Sequence, residues 1–180
     1  PLARKDCRKR GLSRIARASV SDLPFASAQF DMVACVDGLY EEAVANDHRA
    51  LQEFARVLVP GGRVFLRLPA YDWLRGQPDR TVHTKKRYPL KEVERLLIQC
   101  GLLVDQISYA NMLLFPLALI KRLGERWFPA QEASSDLEFN VGWVNGLLQN
   151  VLASEAAYVA KSGLPFGLSV TAVARKKDAR

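Results

Sequence analysis

Long apolar runs are missing from this chain of 180 residues. The longest, Met112 to Ile120, stops at Lys121 and Arg122, well short of the roughly 18 residues a membrane-spanning helix requires. No membrane-spanning helix is therefore expected. Cysteine is scarce as well: Cys7, Cys35 and Cys100 are widely spaced, odd in number and outside any Cys-x-x-Cys pattern. That usage argues against a disulfide framework or a zinc site and for a reducing compartment. The start shows no secretory pattern, so a cytoplasmic location is expected. Histidine is limited to His48 and His83, with no nucleophile-elbow pattern, which speaks against Ser-His-Asp hydrolase chemistry. What is present is ordinary for one globular domain: 49% hydrophobic and 25% charged residues, with 11 Gly and 9 Pro. Disordered and fibrous classes are excluded. Pro1 stands where a translation start would place Met, so a processed chain or a fragment is expected.

The net charge of +7 is unevenly spread. Residues 1–17 carry seven positive charges against one negative, and residues 75–95 carry seven against three. Residues 175–180 add four against one, leaving the remaining segments net acidic. Such a surface suits nucleic acid or an anionic membrane face, yet no RNP, KH, zinc-finger or basic-zipper pattern accompanies it. No nucleic-acid partner is expected, and a solvated basic face is the plainer account.

Helical and strand patterns alternate through the first 110 residues. Pro1 to Leu12 has helical spacing and ends at Gly11, Ile15 to Ser19 has strand character, and Asp22-Leu23-Pro24 makes a loop. Phe30 to Val36 is an apolar run of the length expected for a strand buried on both faces, as parallel strands are. Asp47 is the expected N-cap of a helix carrying Leu51, Phe54, Val57 and Leu58, which Pro60-Gly61-Gly62 ends before a strand from Arg63 to Pro69. A helix from Leu90 to Cys100, with Gly101 at its end, leads to a strand from Leu102 to Tyr109. Met112 to Trp127 is expected as a helix, Gln131 to Asp136 as a polar linker, Val141 to Ala160 as a long helix, and Leu168 to Ala174 as a final strand. The alternation signals an α/β layered domain.

Several segments, in order, resemble the class I S-adenosylmethionine-dependent methyltransferases, in particular the small bacterial type 11 branch. Ala18-Ser19-Val20-Ser21-Asp22-Leu23-Pro24-Phe25 followed by Phe30-Asp31-Met32-Val33 is similar to one family pair. Glu53-Phe54-Ala55-Arg56-Val57-Leu58-Val59-Pro60-Gly61-Gly62-Arg63 resembles its helix, Pro-Gly-Gly turn and strand. Lys86-Arg87-Tyr88, Ser108-Tyr109-Ala110-Asn111 and Leu164-Pro165-Phe166-Gly167-Leu168-Ser169 resemble one branch of the family. The resemblance covers nearly the whole chain. It implies a Rossmann-like sheet, mostly parallel with an antiparallel last strand, in which Ile15 to Ser19 is the third strand. It also implies that the glycine-rich loop and the first two strand-helix units, roughly 60 residues, precede Pro1. Residues 111–163 correspond to a helical insertion or lid within a single domain spanning residues 1–180.

By the same resemblance the cofactor is S-adenosylmethionine, met by Ser19 and Val20 after the third strand and by Val36 and Asp37 after the fourth. Ser19 departs from the usual Asp and offers a neutral hydroxyl instead. Tyr40, Trp73, Arg87 and Tyr88 correspond to acceptor-facing positions, and His83 and Tyr71 to catalytic ones, although His83 stands one residue early for the branch pattern. An imidazole there is suited to taking a proton from an acceptor hydroxyl; an ordinary loop histidine is the alternative. Arg87 and Lys86 are placed to hold an anionic acceptor or to form part of the solvated face. No metal is implied. Methyl transfer needs mainly alignment of nucleophile, methyl and sulfur, so no fixed triad is expected. The implied function is methyl transfer to a small-molecule or lipid-like acceptor. A non-catalytic scaffold and a basic RNA- or membrane-binding module are the rivals. Met112 to Ile120 is open to three readings: a lid over a lipid-like acceptor, a peripheral membrane contact, or a core helix packed on Val141 to Leu152.

Overall fold

The computed structural model describes residues 7, 9–42, 44–76, 79, 83–127 and 142–178. In chain order its elements are β1 (Phe30–Val36), α1 (Asp47–Val57), β2 (Leu58–Pro69), a 3-10 turn (Asp72–Leu74), α2 (Leu90–Gln99), β3 (Leu102–Ala110), α3 (Phe115–Trp127), α4 (Gly142–Ser162) and β4 (Ser169–Lys176). The strands form one sheet in the order β1-β2-β4-β3. β1 and β2 are parallel, and β4 enters antiparallel to both β2 and β3. The described sheet is therefore mixed, within an α/β architecture: β1, β2 and β3 run the same way, and the last strand is reversed and inserted between β2 and β3.

Alternation along β2 and β4 divides the sheet into two faces. Val64, Leu66 and Leu68 pair with Ala174, Ala172 and Val170 and are buried beneath α1 and α2. Ala50, Leu51, Phe54 and Val57 form the buried stripe of α1, and Val93 and Leu97 that of α2, at the spacing of an amphipathic helix. Each large side chain buried this way stabilises the fold by about 1.5–3 kcal/mol.

Local chemistry departs from the sequence pattern at several points. The N-cap of α1 is Asn46, whose side chain accepts from the Arg49 N–H at 3.1 Å; Asp47, expected as the cap, is buried one position inside. Pro60-Gly61-Gly62 does not separate helix from strand but lies within β2, where the register jumps from Phe30↔Leu58 to Met32↔Arg63. Ile15 to Ser19 forms no strand: residues 12–18 have no regular structure, and Ser19 makes only an isolated bridge to Asp22. Strand character needs a partner, and among the described residues β1 is paired on one edge only, by β2. The third helix begins at Phe115, three residues later than expected, with Pro116 in its first turn; Glu155 of α4 accepts from the N–H groups of Met112 and Leu113 at 3.1 and 3.3 Å. Leu113, Leu117 and Ile120 are exposed, while Met112, Leu114, Phe115, Ala118 and Leu119 are half-buried, so only one side of this segment packs inward. Of the expected first helix, Cys7 and Lys9 are helical while residues 1–6 and 8 lie outside the described residues; so does the expected linker Gln131 to Asp136.

Two residues of α1 fix the loop before β1. Glu53 accepts from the Leu23 N–H at 2.8 Å and from Arg56 Nε at 2.7 Å, while Arg56 donates to the carbonyls of Leu23 and Phe25 at 3.1 and 2.8 Å. This clamp holds the Leu-Pro-Phe segment on α1 and sets where β1 starts. The Arg56 hydrogen bonds and the Leu23 N–H hold the Glu53 carboxyl down at about 2.

Candidate active site

The carboxyl ends of β1, β2 and β3 and the start of β4 lie at one edge of the sheet, since Pro69 and Ala110 both pair with Ser169. In α/β sheets that edge is where ligands bind. Three non-glycine residues here adopt left-handed backbone: Asp37 (φ 55°) after β1, Tyr71 (φ 53°) after β2 and Asn111 (φ 62°) after β3. Such conformations are costly and concentrate at functional sites. Asp37 donates its N–H to the Arg67 carbonyl at 3.2 Å, and its carboxylate lies 3.8 Å from Arg67 Nε. Asn111 Nδ2 donates to Ser169 Oγ at 3.1 Å, tying β3 to β4 at the same edge.

Five rings from four segments converge beside these residues. Tyr71 stacks on Tyr109 with centroids 5.1 Å apart and meets Trp73 at 5.6 Å and Phe115 at 5.9 Å; Phe115 in turn meets Trp73 at 6.2 Å and Phe166 at 5.3 Å. Trp73 and Phe166 keep open faces. Burial, and next the Tyr109 hydroxyl beside it, push the Tyr71 phenol above its ordinary range, so it remains a proton donor at neutral pH. Burial followed by the Asp37 and Glu41 carboxylates pushes the Tyr40 phenol upward too. Gly167 lets the loop carrying Phe166 close on β3: a Cβ at this position would overlap the Ala110 carbonyl.

A cavity of about 400 Å³ lies on the sheet face opposite α1 and α2. Phe65, Arg67, Thr171 and Val173 form its floor and Glu155, Ala156 and Val159 of α4 its wall, with Asn111 at the carboxyl edge. Gln106 braces the wall by donating to the Val159 carbonyl at 2.6 Å. Arg67 thus links the cavity to Asp37, and Asn111 links it to the aromatic cluster by chain adjacency.

The residues singled out in the sequence separate into groups. Val36, Asp37, Tyr71 and Trp73 stand at the carboxyl edge, with Tyr40 following Asp37 in the next loop. Ser19 and Val20 lie in a tight turn, where Ser19 Oγ accepts from the Ser21 N–H at 3.2 Å and Val20 packs on the core. His83 is exposed, with Nδ1 3.9 Å from Glu42 Oε2, and its carbonyl accepts from the Glu42 N–H at 3.0 Å. Arg87 and Tyr88 require correction as acceptor-facing groups. Tyr88 is 0% exposed, and its hydroxyl donates to Asp47 Oδ2 at 2.8 Å. Arg87 is turned inward onto Asp79, at 2.8 and 3.0 Å, and onto the Ala70 carbonyl at 3.1 Å.

The neighbouring lysines are engaged as well, which corrects the solvated-face account for this run. Lys86 lies 2.9 Å from both Asp47 and Glu92, and Lys85 donates to the Val44 and Ala45 carbonyls at 3.2 and 3.1 Å. The Lys-Lys-Arg-Tyr run is therefore a strap: Tyr88 donates its N–H to the Pro69 carbonyl at 2.8 Å, securing the end of β2. Sequence reading missed Tyr109, Phe115, Phe166 and Asn111 as site residues. The Ser-Tyr-Ala-Asn and Leu-Pro-Phe-Gly segments already carried three of them as a signal. Among the described residues, no cluster of three His, Cys, Asp or Glu side chains is close enough to hold a metal ion, and no helix is long and apolar enough to cross a membrane.

Residues 1–66 match the family described as a methyltransferase domain. No curated protein matches the chain in sequence. Solved structures do match in fold. The [4+2]-cyclase SpnF aligns with 18% identity and a TM-score of 0.56 over 99% of this chain and 63% of its own. An S-adenosylmethionine-dependent methyltransferase from Thermotoga maritima aligns with 17% identity and a TM-score of 0.56 over 97% of this chain and 68% of its own. One from Methanosarcina mazei aligns with 16% identity and a TM-score of 0.51 over 99% and 77%. The chain spans 60% to 64% of the length of several such relatives. The chain shares its α/β fold with these proteins. Since a cyclase shares it, the fold by itself does not name the reaction.

Proposed function

We propose that this protein is an S-adenosylmethionine-dependent methyltransferase acting on a small or lipid-like acceptor with an apolar or aromatic part. The observation that carries this reading is the meeting, at one edge of the sheet, of a strained Asp37, a cavity of about 400 Å³ and a five-ring cluster. The methyltransferase-domain match over residues 1–66 supports the choice of cofactor.

The chemistry of two groups among the described residues supports that cofactor. Asp37 projects a part-exposed carboxylate, paired with Arg67 Nε at 3.8 Å, that is suited to facing a sulfonium cation as well. Ser19 Oγ accepts from the Ser21 N–H at 3.2 Å and keeps a second lone pair for the adenine amino group, with the Val20 N–H as the neighbouring contact. When bound, S-adenosylmethionine supplies an activated methyl group. The chain's own task is then placement. The ring faces of Tyr71, Trp73, Tyr109, Phe115 and Phe166 exclude water and seat an apolar, aromatic or cationic acceptor. Tyr71, held protonated, donates a hydrogen bond that orients the acceptor; it does not take up a proton. Of the two catalytic candidates Tyr71 lies within the cluster, whereas His83 faces solvent.

Calorimetric titration of the protein with S-adenosylmethionine and with its neutral thioether product tests this. Replacing Asp37→Asn is expected to weaken the cationic cofactor about tenfold, the scale of one half-exposed ion pair, and the neutral product much less. Absence of binding by the intact, full-length folded protein rejects the enzyme reading in favour of a scaffold that keeps the fold.

A further inference from the structure

The face of α3 turned away from the aromatic cluster is apolar, and no described residue covers it. Leu117 and Ile120, with Leu113 in the turn before the helix, are 67%, 68% and 52% exposed. Phe115, on the opposite side of the same segment, makes the contacts with Tyr71, Trp73 and Phe166. Trp73, 62% exposed, stands at the rim of that cluster. Exposed apolar side chains in a row mark a contact surface, whereas single ones do not.

Charge indicates what covers it. No acidic residue occurs from Asn111 to Gly124, and Lys121 and Arg122 follow directly after Ile120 in a chain of net charge +7. An apolar helix face bordered along the chain by two basic residues has the composition of a helix lying in the interface of an anionic bilayer. A protein partner would not need the basic border, and a second copy of this chain would bring like charges together.

We propose that the outer face of α3 docks the protein on an anionic phospholipid surface. The docking does not rest on the methyltransferase reading.

The test is flotation of the protein with vesicles of phosphatidylcholine alone or mixed with phosphatidylglycerol, at low and high salt and without cofactor. The protein is expected to float with the mixed vesicles, less at high salt and little with phosphatidylcholine alone. The double replacement Leu117→Ser with Ile120→Ser should reduce binding by about tenfold or more while the circular dichroism melt stays unchanged, since both side chains are exposed. The proposal is overturned if the folded protein fails to float, or if the double variant floats as well as the parent. It is equally overturned if sedimentation equilibrium finds a dimer that the double variant splits, which gives the face to a second copy. Cofactor titration is read separately, so loss of the enzyme reading and loss of the docking surface are distinguishable.

Discussion

The two faces of the sheet are built from alternate residues of the same strands and serve opposite ends. On one face Val64, Leu66, Leu68, Val170, Ala172 and Ala174 are all 2% exposed or less and lie under α1 and α2. On the other, Phe65, Arg67, Thr171 and Val173 border an open cavity, and the edge beside it holds strained Asp37, Tyr71 and Asn111. The closed face concentrates apolar burial and hence stability. The open face and its edge keep polar groups, ring faces and backbone strain where a ligand can use them.

That contrast can be broken most directly at Tyr88, which belongs to the closed side although its motif suggested the site. Tyr88→Ala is expected to cost about 3–5 kcal/mol in chemical denaturation. Tyr88→Phe should cost about 1–3 kcal/mol through the lost partner of buried Asp47, whose Oδ1 already lacks a hydrogen bond. A cost below about 0.5 kcal/mol for Tyr88→Ala, the size of an ordinary surface change, would place the residue in the site after all. Gly167→Ala probes the open edge: the added Cβ meets the Ala110 carbonyl, so overpacking should cost about 1–3 kcal/mol in the same assay. An unchanged melt would mean that the loop carrying Phe166 is not closed on β3.

The smallest effect concerns the clamp that sets β1. Glu53 is held at about 2, below its ordinary 4.5, so the unfolded chain binds the extra proton between these values. Its contribution is therefore present above about pH 4.5 and is lost as the pH falls toward 2. Over that window the melting temperature should fall more steeply for the parent than for Glu53→Gln; parallel profiles would show that the clamp carries no pH dependence.

Much of the fold was legible because it rests on periodicity. The helices at Asp47–Val57 and Leu90–Gln99 and the strands ending at Pro69 and Ala110 follow from apolar spacing and from breakers such as Gly101; Phe30 to Val36 is a strand as expected, but Met32 and Val36 are exposed and it is not buried on both faces. Ile15 to Ser19 misled because strand propensity without a neighbouring strand leaves backbone groups unpaired. The cap of α1 was misplaced by one residue because Asn46 and Asp47 are both good caps, and burial of Asp47 against Tyr88 decided between them. Asp37, Tyr71 and Trp73 were reachable because they directly follow strand ends. The strap was not: a run of two lysines, an arginine and a tyrosine looks solvent-facing, and only distant Asp47, Asp79 and Ala70 turn it inward.

The sequence by itself determined the layered α/β class, the order of the elements and the apolar stripes that bind helices to sheet, since these depend on spacing along the chain. Only the tertiary structure decided which charges are used internally, which rings share a site and which apolar face stays uncovered. Those outcomes depend on contacts between residues far apart in the chain, such as Tyr71 with Phe115 and, 118 positions apart, Lys176 with the Leu58 carbonyl at 2.7 Å. No local rule of charge or hydropathy encodes them, because burial and pairing are properties of the neighbours that folding supplies.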